Sequence, residues 1–175
     1  MSSLNNKLVV LVGGGGLVGR YAAQALLRAG ARVRIAQRDP REAWFLKTQG
    51  GLGQTQFAAC DMARPETLVR VVQGADAVVN LTGTFGKGEM QAVHIDGPAA
   101  LARAAGAVPF VHLSAIGADP ESEAAYGRTK GLGEAAVRSV HPQATILRPS
   151  TIFGREDHFT NRFAALIARL PVVPV

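Results

Sequence analysis

Residues 7–21 read KLVVLVGGGGLVGRY. Leu8 to Val12 form a continuous apolar run, too short for a helix and rich in valine, as expected of a strand buried on both faces of a parallel sheet. Four glycines, Leu17, Val18 and Gly19 follow, and residues 21–28 (YAAQALLR) then show helical spacing and good helix formers. Strand, glycine turn and helix in that order is the context in which a glycine motif holds a dinucleotide. The glycines fit two registers: Gly14, Gly16 and Gly19 as G-x-G-x-x-G, or Gly13, Gly16 and Gly19 as G-x-x-G-x-x-G. In either, one glycine permits the tight turn, one lets the backbone approach a pyrophosphate, and Gly19 lets helix and strand pack closely. The unpaired N–H groups at Leu17 and Val18, with the positive end of the helix dipole behind them, would face the phosphates.

The chain has 175 residues, 47% of them apolar, which suits one domain with a real core. No apolar run approaches the ~20 residues needed to span a bilayer. The opening MSSLNNK lacks the cationic and long apolar segments of a secretory signal, so none is expected. A single cysteine, Cys60, excludes an internal disulfide and fits a reducing compartment. The expected location is cytoplasmic, extending to the cytoplasmic face of an inner membrane. A net charge of +6, from 19 basic and 13 acidic side chains, favours an anionic partner such as a nucleotide phosphate, an acidic protein or an anionic membrane face. The basic residues are scattered, so no nucleic-acid partner is expected, and no set of residues has metal-ligand spacing.

After Gly30, residues 32–37 (RVRIAQ) read as a second strand ending at Arg38 and Asp39, about 20 residues past the glycines. An acid at this place would bond a ribose 2′-hydroxyl, whereas an arginine accepts a 2′-phosphate. Asp39-Pro40-Arg41-Glu42 has the order of a helix cap, Asp first and Pro in the first turn. Arg38 is therefore taken as the phosphate ligand and NADP(H) as the favoured cofactor, with NAD(H) left open. A third strand, 56–60, leads to Asp61 and Met62, which either flank an adenine ring or, for Asp61, cap the next helix. A fourth, 76–81, ends in Asn80, Leu81, Thr82 and Gly83, small backbone-exposing residues suited to the cofactor's middle ribose. His94, in a helix expected over 89–105, is read as exposed or capping. A fifth strand, 108–113, ends at Ser114.

Tyr126 and Lys130 follow, four apart and so on one helix face. An ammonium beside the phenol would lower a pKa otherwise near 10, and the pair could then move a proton while hydride moves at a nicotinamide. A sixth strand over 144–147 leads to Arg148, a further candidate on the cofactor. A final helix over 157–170 would place Phe159, Phe163, Leu166 and Ile167 at core spacing, ahead of the terminal PVVPV.

These segments resemble a known group, the short-chain dehydrogenase/reductase superfamily in its extended and atypical branch of NAD(P)-dependent epimerase-like proteins. The likeness is strongest to the 39 kDa accessory subunits of respiratory complex I and their bacterial relatives. It is carried by VGGGGLVGRY (12–21), VRIAQRDP (33–40), VVNLTG (78–83), VHLSAIGAD (111–119), YGRTKGLGE (126–134) and ILRPSTIFGREDHFTNRFA (146–164). The resemblance implies a three-layer, doubly wound α/β domain of Rossmann type with about six parallel strands, spanning 1–175. It further implies bound NADP(H), a Tyr/Lys pair at the active-site position, and partners among respiratory-complex subunits at the membrane surface. Ser114 stands only twelve residues before Tyr126, a departure from the group's usual serine. The chain also stops where the group would supply its carboxyl-terminal substrate lobe, so the domain is expected to be incomplete there. Two functions are compatible with these features. One is an NADP(H)-holding accessory or assembly module. The other is an NADPH-dependent oxidoreductase or epimerase acting on a small carbonyl or nucleotide-sugar substrate, with Tyr126 as acid/base, Lys130 as its tuner and Ser114 as orienter.

Overall fold

Residues 4–157 and 159–169 of a computed structural model are described. The five residues of β1 (Leu8–Val12) are all buried, as a run of Val and Leu with no polar member demands of a central strand. Five further strands lie parallel to it: β2 (Arg32–Gln37), β3 (Thr55–Ala59), β4 (Ala77–Asn80), β5 (Phe110–Leu113) and β6 (Thr145–Leu147), in the order β3-β2-β1-β4-β5-β6. The expected doubly wound sheet of six parallel strands is thus what the chain forms. The order reverses between β1 and β4, and such a switch opens a crevice at the carboxyl ends of the strands.

Alternate residues of the strands face two separate cores. Val9, Leu11, Val33 and Ile35 meet Ala23 and Leu27 of α1 (Leu17–Arg28) and Leu46 of a 3-10 helix (Pro40–Gln49). Val10, Val12, Val78 and Phe110 meet Leu68 of α2 (Pro65–Val72), Leu101 of α3 (Gly97–Ala105) and Val137 of α4 (Ala125–Val140). Each fully buried Val or Leu contributes about 1.5–3 kcal/mol of transfer free energy, so both faces of the sheet are needed.

Three segments differ from the sequence expectation. The helix expected over 89–105 begins as a π-helix, Gln91–Asp96, before α3. Pro98 explains it: the ring cannot donate to the carbonyl four residues back, that of His94, and would collide with it, so the turn widens. Strands β4 and β5 are also shorter than expected. Asp76 leaves its strand to accept the Leu8 N–H (2.8 Å) and Lys7 Nζ (3.1 Å), and Pro109 has no N–H to give a ladder. The last helix, α5, runs Thr160–Ile167, with Asp157 accepting both the N–H and the hydroxyl of Thr160. The core role expected of Phe159, Phe163, Leu166 and Ile167 is not realised, because all four are exposed and nothing in α5 is buried. Residues 170–175, the PVVPV tail included, lie outside the described residues.

Candidate functional site

Two joined hollows, about 590 and 560 Å³, run along the carboxyl ends of the strands. Gly13, Gly16, Leu81, Thr82, Gly83 and Thr84 line both, so the glycine turn and the end of β4 form their shared wall. Gly13 has φ +80°, and a Cβ there would press on the Leu81 carbonyl at 3.2 Å. A Cβ on Gly19 would lie 2.5 Å from the Gly14 backbone. Gly14 lines neither hollow; it sits below the floor, where a Cβ would be 2.9 Å from the Leu11 carbonyl oxygen and 3.1 Å from Ile35. Gly13, Gly16 and Gly19, the glycines of the second register, line the hollows, while Gly14 packs beneath them. Leu17, Val18 and Gly19 line the second hollow, at the start of an α1 with no acid in its first turn and no side-chain cap on Gly16. The N–H groups at that helix start are therefore suited to an anion.

The first hollow holds Arg38, Asp61 and Met62 together with Gln37, Cys60 and Glu89. Gln37 ties the turn to β2: its Oε1 accepts the Gly15 N–H (2.9 Å) and its Nε2 donates to the Asp39 carbonyl (2.8 Å). Asp39 is the cap it was read to be. Its carboxylate accepts the Arg41 N–H (3.0 Å) and the Arg41 guanidinium (2.7 Å), which hold its pKa down to about 2, and it lines neither hollow. Asp61 both lines the hollow and shapes it, accepting the Ala63 N–H at 3.0 Å; the cap position of α2 falls to Arg64 instead. Arg38 reaches over the hollow, its Nη1 3.3 Å from Glu89 Oε1.

Ser114, Tyr126 and Lys130 line the second hollow, so all three expected catalytic residues come together beside the glycine turn. Their electrostatics differ from expectation. Lys130 is almost wholly buried, its Nζ donates to the Leu113 carbonyl at 2.8 Å, and burial lowers its pKa to about 8. The phenol of Tyr126 is pushed above its ordinary value by burial, not drawn down by the ammonium. Its ring stacks on Phe85 at 4.7 Å and meets His94 edge-on at 5.3 Å. The Ser114 hydroxyl is buried near the Glu134 carboxylate and helps keep it ionised, yet makes no hydrogen bond of good geometry.

Arg148 lines neither hollow. Its Nε and Nη2 clamp the buried Glu134 carboxylate at 2.8 and 2.6 Å, so the guanidinium is engaged by this ion pair away from the hollows. His94, expected at the surface, is fully buried. Its Nε2 accepts the Thr84 N–H (3.1 Å), which leaves Nδ1 as the protonated nitrogen facing Thr129 Oγ1 (2.8 Å). It thus joins the 82–89 loop to α4 from beneath Tyr126. Its approach depends on Gly133, because a Cβ there would collide with the His94 carbonyl. Asn80, buried at the end of β4, accepts the N–H and hydroxyl of Thr82 (3.1 and 2.7 Å), setting that ledge. A buried Asn closing an apolar strand was the visible signal for the last of these; nothing local marked His94.

The sequence pattern of the NAD dependent epimerase/dehydratase family matches residues 9–171, nearly the whole chain. The chain belongs to that family. Among curated members and relatives, it is 37% identical over 170 residues to mitochondrial NADH dehydrogenase (ubiquinone) 1 alpha subcomplex subunit 9 of Mus musculus, covering 93% of this chain and 45% of that protein. It is 34% identical to the NADH-ubiquinone oxidoreductase 40 kDa subunit of Neurospora crassa (94% and 46% covered) and 32% identical to a ceramide reductase of Caulobacter vibrioides (96% and 53%). The chain spans about half the length of the curated relatives it matches. Among solved structures it superposes on Pen from Bacillus thuringiensis with a TM-score of 0.82 at 18% identity, covering 97% of this chain and 58% of that one. A Pseudomonas aeruginosa RhlG/NADP complex gives 0.70 at 20% identity, with 94% and 79% covered. These two likenesses are likenesses of fold.

The epimerase/dehydratase family uses a nicotinamide dinucleotide, and the residues present fit one. The bare backbone of Gly13 and Gly16 leaves a cradle that a Cβ would fill, the uncapped start of α1 is set for a pyrophosphate, and the two hollows flank that point on either side. Bound there, the dinucleotide would supply hydride chemistry at the Tyr126 end. Among the described residues no helix is long and apolar enough to cross a membrane, and no group of three or more His, Cys, Asp or Glu could hold a metal ion.

Proposed function

We propose that this chain is an NADP(H)-binding domain that retains its dinucleotide with little or no turnover, as an accessory or assembly module beside a respiratory complex of the complex I type. Gly13, Gly16, Leu17, Val18 and Gly19 hold the pyrophosphate, Arg38 the 2′-phosphate, Asp61 and Met62 the adenine edge, and Leu81, Thr82 and Gly83 the middle ribose. One observation carries the low turnover. The Tyr126 ring is stacked under Phe85 with its pKa raised by burial, while Lys130 gives one of its three N–H donors to the Leu113 carbonyl. Covered by Phe85, the hydroxyl is screened from a substrate carbonyl in the reducing direction, and a phenol that stays protonated is a poor base in the oxidising one. The likeness to two respiratory-chain subunits supports the choice of partner. A second reading, an NADPH-dependent oxidoreductase or epimerase, draws support from the convergence of Ser114, Tyr126 and Lys130 on one hollow and from the ceramide reductase likeness.

Calorimetric titration with NADPH and NADH, alongside an NADPH-oxidation assay over a panel of aldehydes and ketones, separates the readings. NADPH should bind more tightly than NADH. Arg38→Ala should cost about 1.5–3 kcal/mol of NADPH affinity, the range for hydrogen bonds to a charged group. No oxidation should be seen. Equal affinity for the two nucleotides would sink the NADP(H) assignment, and oxidation that disappears in Tyr126→Phe while NADPH still binds would establish the oxidoreductase reading instead.

A further inference from the structure

The hollow assigned to the adenosine has an uneven charge lining. Arg38 is its one cation among the described residues, and it faces three carboxylates: Glu42, Asp61 and Glu89. Arg38 does not stand free. Its Nη1 lies 3.3 Å from Glu89 Oε1 across the mouth of the hollow, with both side chains largely exposed. Glu89 is held toward that place from its other side. Its Oε2 accepts the Thr84 hydroxyl at 3.3 Å, its own N–H reaches the Gly86 carbonyl at 2.9 Å, and Thr84 is tied to buried His94 through its N–H at 3.1 Å. The loop between these ties carries Gly86 and Gly88, and a Cβ added at Gly88 would touch nothing within 4 Å.

We propose that Glu89 is a specificity-determining residue: its carboxylate is a built-in competitor for the 2′-phosphate on Arg38. The inference rests on the reading of Arg38 as the 2′-phosphate ligand. A 2′-phosphate carries up to two negative charges, and to reach the guanidinium it must displace one carboxylate and then remain beside it. A 2′-hydroxyl meets neither cost. Glu89 therefore lowers NADP(H) affinity while leaving NAD(H) nearly untouched, and narrows the discrimination that Arg38 alone would produce. The loop that carries Glu89 also carries Phe85 onto Tyr126.

The test is a double-mutant cycle in the intact protein, using Glu89→Gln, Arg38→Ala and the pair, with NADPH and NADH titrated at low and high salt. Glu89→Gln keeps the shape and removes the charge. It should tighten NADPH binding about two- to fivefold, the span expected for an exposed ion pair, and change NADH binding by less than half that factor. The gain should shrink in the Arg38→Ala background, where only direct repulsion remains, and shrink at high salt. Three results overturn the proposal: no change in the NADPH/NADH ratio on Glu89→Gln, equal tightening of both nucleotides, or a gain just as large in Arg38→Ala. A different result identifies failure of the underlying reading, namely an NADPH/NADH ratio that Arg38→Ala leaves unaltered. Matching melting curves for Glu89→Gln and the unmodified protein exclude a change of fold as the source.

Discussion

Adding one methyl group at each of two glycines in the same turn should have opposite consequences. Gly19 lies inside α1, where alanine would gain about 1 kcal/mol of helix propensity. Against this, its Cβ would come 2.5 Å from the Cα and carbonyl carbon of Gly14, which are backbone atoms that cannot rotate away. Overpacking of this kind costs about 1–3 kcal/mol, and a rigid neighbour places Gly19→Ala at the upper end, for a net loss of about 1–2 kcal/mol. For a chain of 175 residues the unfolding entropy near the midpoint is roughly 0.37 kcal/mol/K, so the melt should fall by about 3–5 °C. Gly16 is different. Its φ of −72° and ψ of −178° suit any residue, and its Cβ would meet only the Gly13 carbonyl oxygen, at 3.3 Å. Gly16→Ala should therefore leave the melt of the nucleotide-free protein within about 0.5 kcal/mol, or 1–2 °C. The methyl would stand where the pyrophosphate approaches and should weaken NADPH tenfold or more. At a hundredfold excess over the dissociation constant NADPH should raise the melt of the unmodified protein by about 7 °C, from the 2.7 kcal/mol ligand term. With a tenfold loss of affinity Gly16→Ala should show about half that. Thermal melts with and without NADPH read all four numbers. A Gly16→Ala protein with an unchanged NADPH shift, or a Gly19→Ala protein as stable as the parent, would refute this account of the turn.

Two further outcomes follow from the buried polar groups. Burial first, and Lys130 second, hold His94 and His112 down to a pKa of about 4, against about 6.5 when unfolded. Between these values the unfolded chain binds protons that the native chain does not, so their contribution is intact above pH 6.5 and is lost as pH falls toward 4. Urea midpoints should show a loss of about 2–4 kcal/mol between pH 7 and pH 5, reduced in His112→Asn; a flat profile would mean that neither histidine is held neutral. Arg148→Ala should remove the clamp on buried Glu134 and cost about 1.5–3 kcal/mol of stability in the same assay. NADPH affinity should stay unchanged, and a matching loss of affinity would return Arg148 to the cofactor site.

How much of this was legible beforehand depended on whether the signal was local. The strand, turn and helix of residues 7–28, the Asp39 cap and the approach of Tyr126, Lys130 and Ser114 to the glycines could be read from composition, spacing and family likeness. Four readings failed or stayed open for one reason, that each depended on a neighbour distant in sequence. The glycine register needed Ile35 and Leu81 on the adjacent strands. Arg148 needed Glu134 on α4, and Lys130 needed the Leu113 carbonyl at the end of β5. Helix α5 has a spacing that suits a core, yet no buried residue among those described, because periodicity reports that a face is apolar and not what covers it.

The sequence by itself determined the layered α/β class, the six strand-forming runs and the existence of a dinucleotide turn. Those properties are encoded within a few residues, through hydrophobic period, backbone freedom and capping. Only the tertiary structure decided which glycines line the hollows, that His94 supports the loop carrying Phe85 and Glu89, and that the Tyr126 phenol is raised where spacing alone suggested it would fall. A pKa or a hydrogen-bond partner is set by every charge and every layer of packing around a group, and the parallel crossovers of this sheet bring that surrounding from segments tens of residues away.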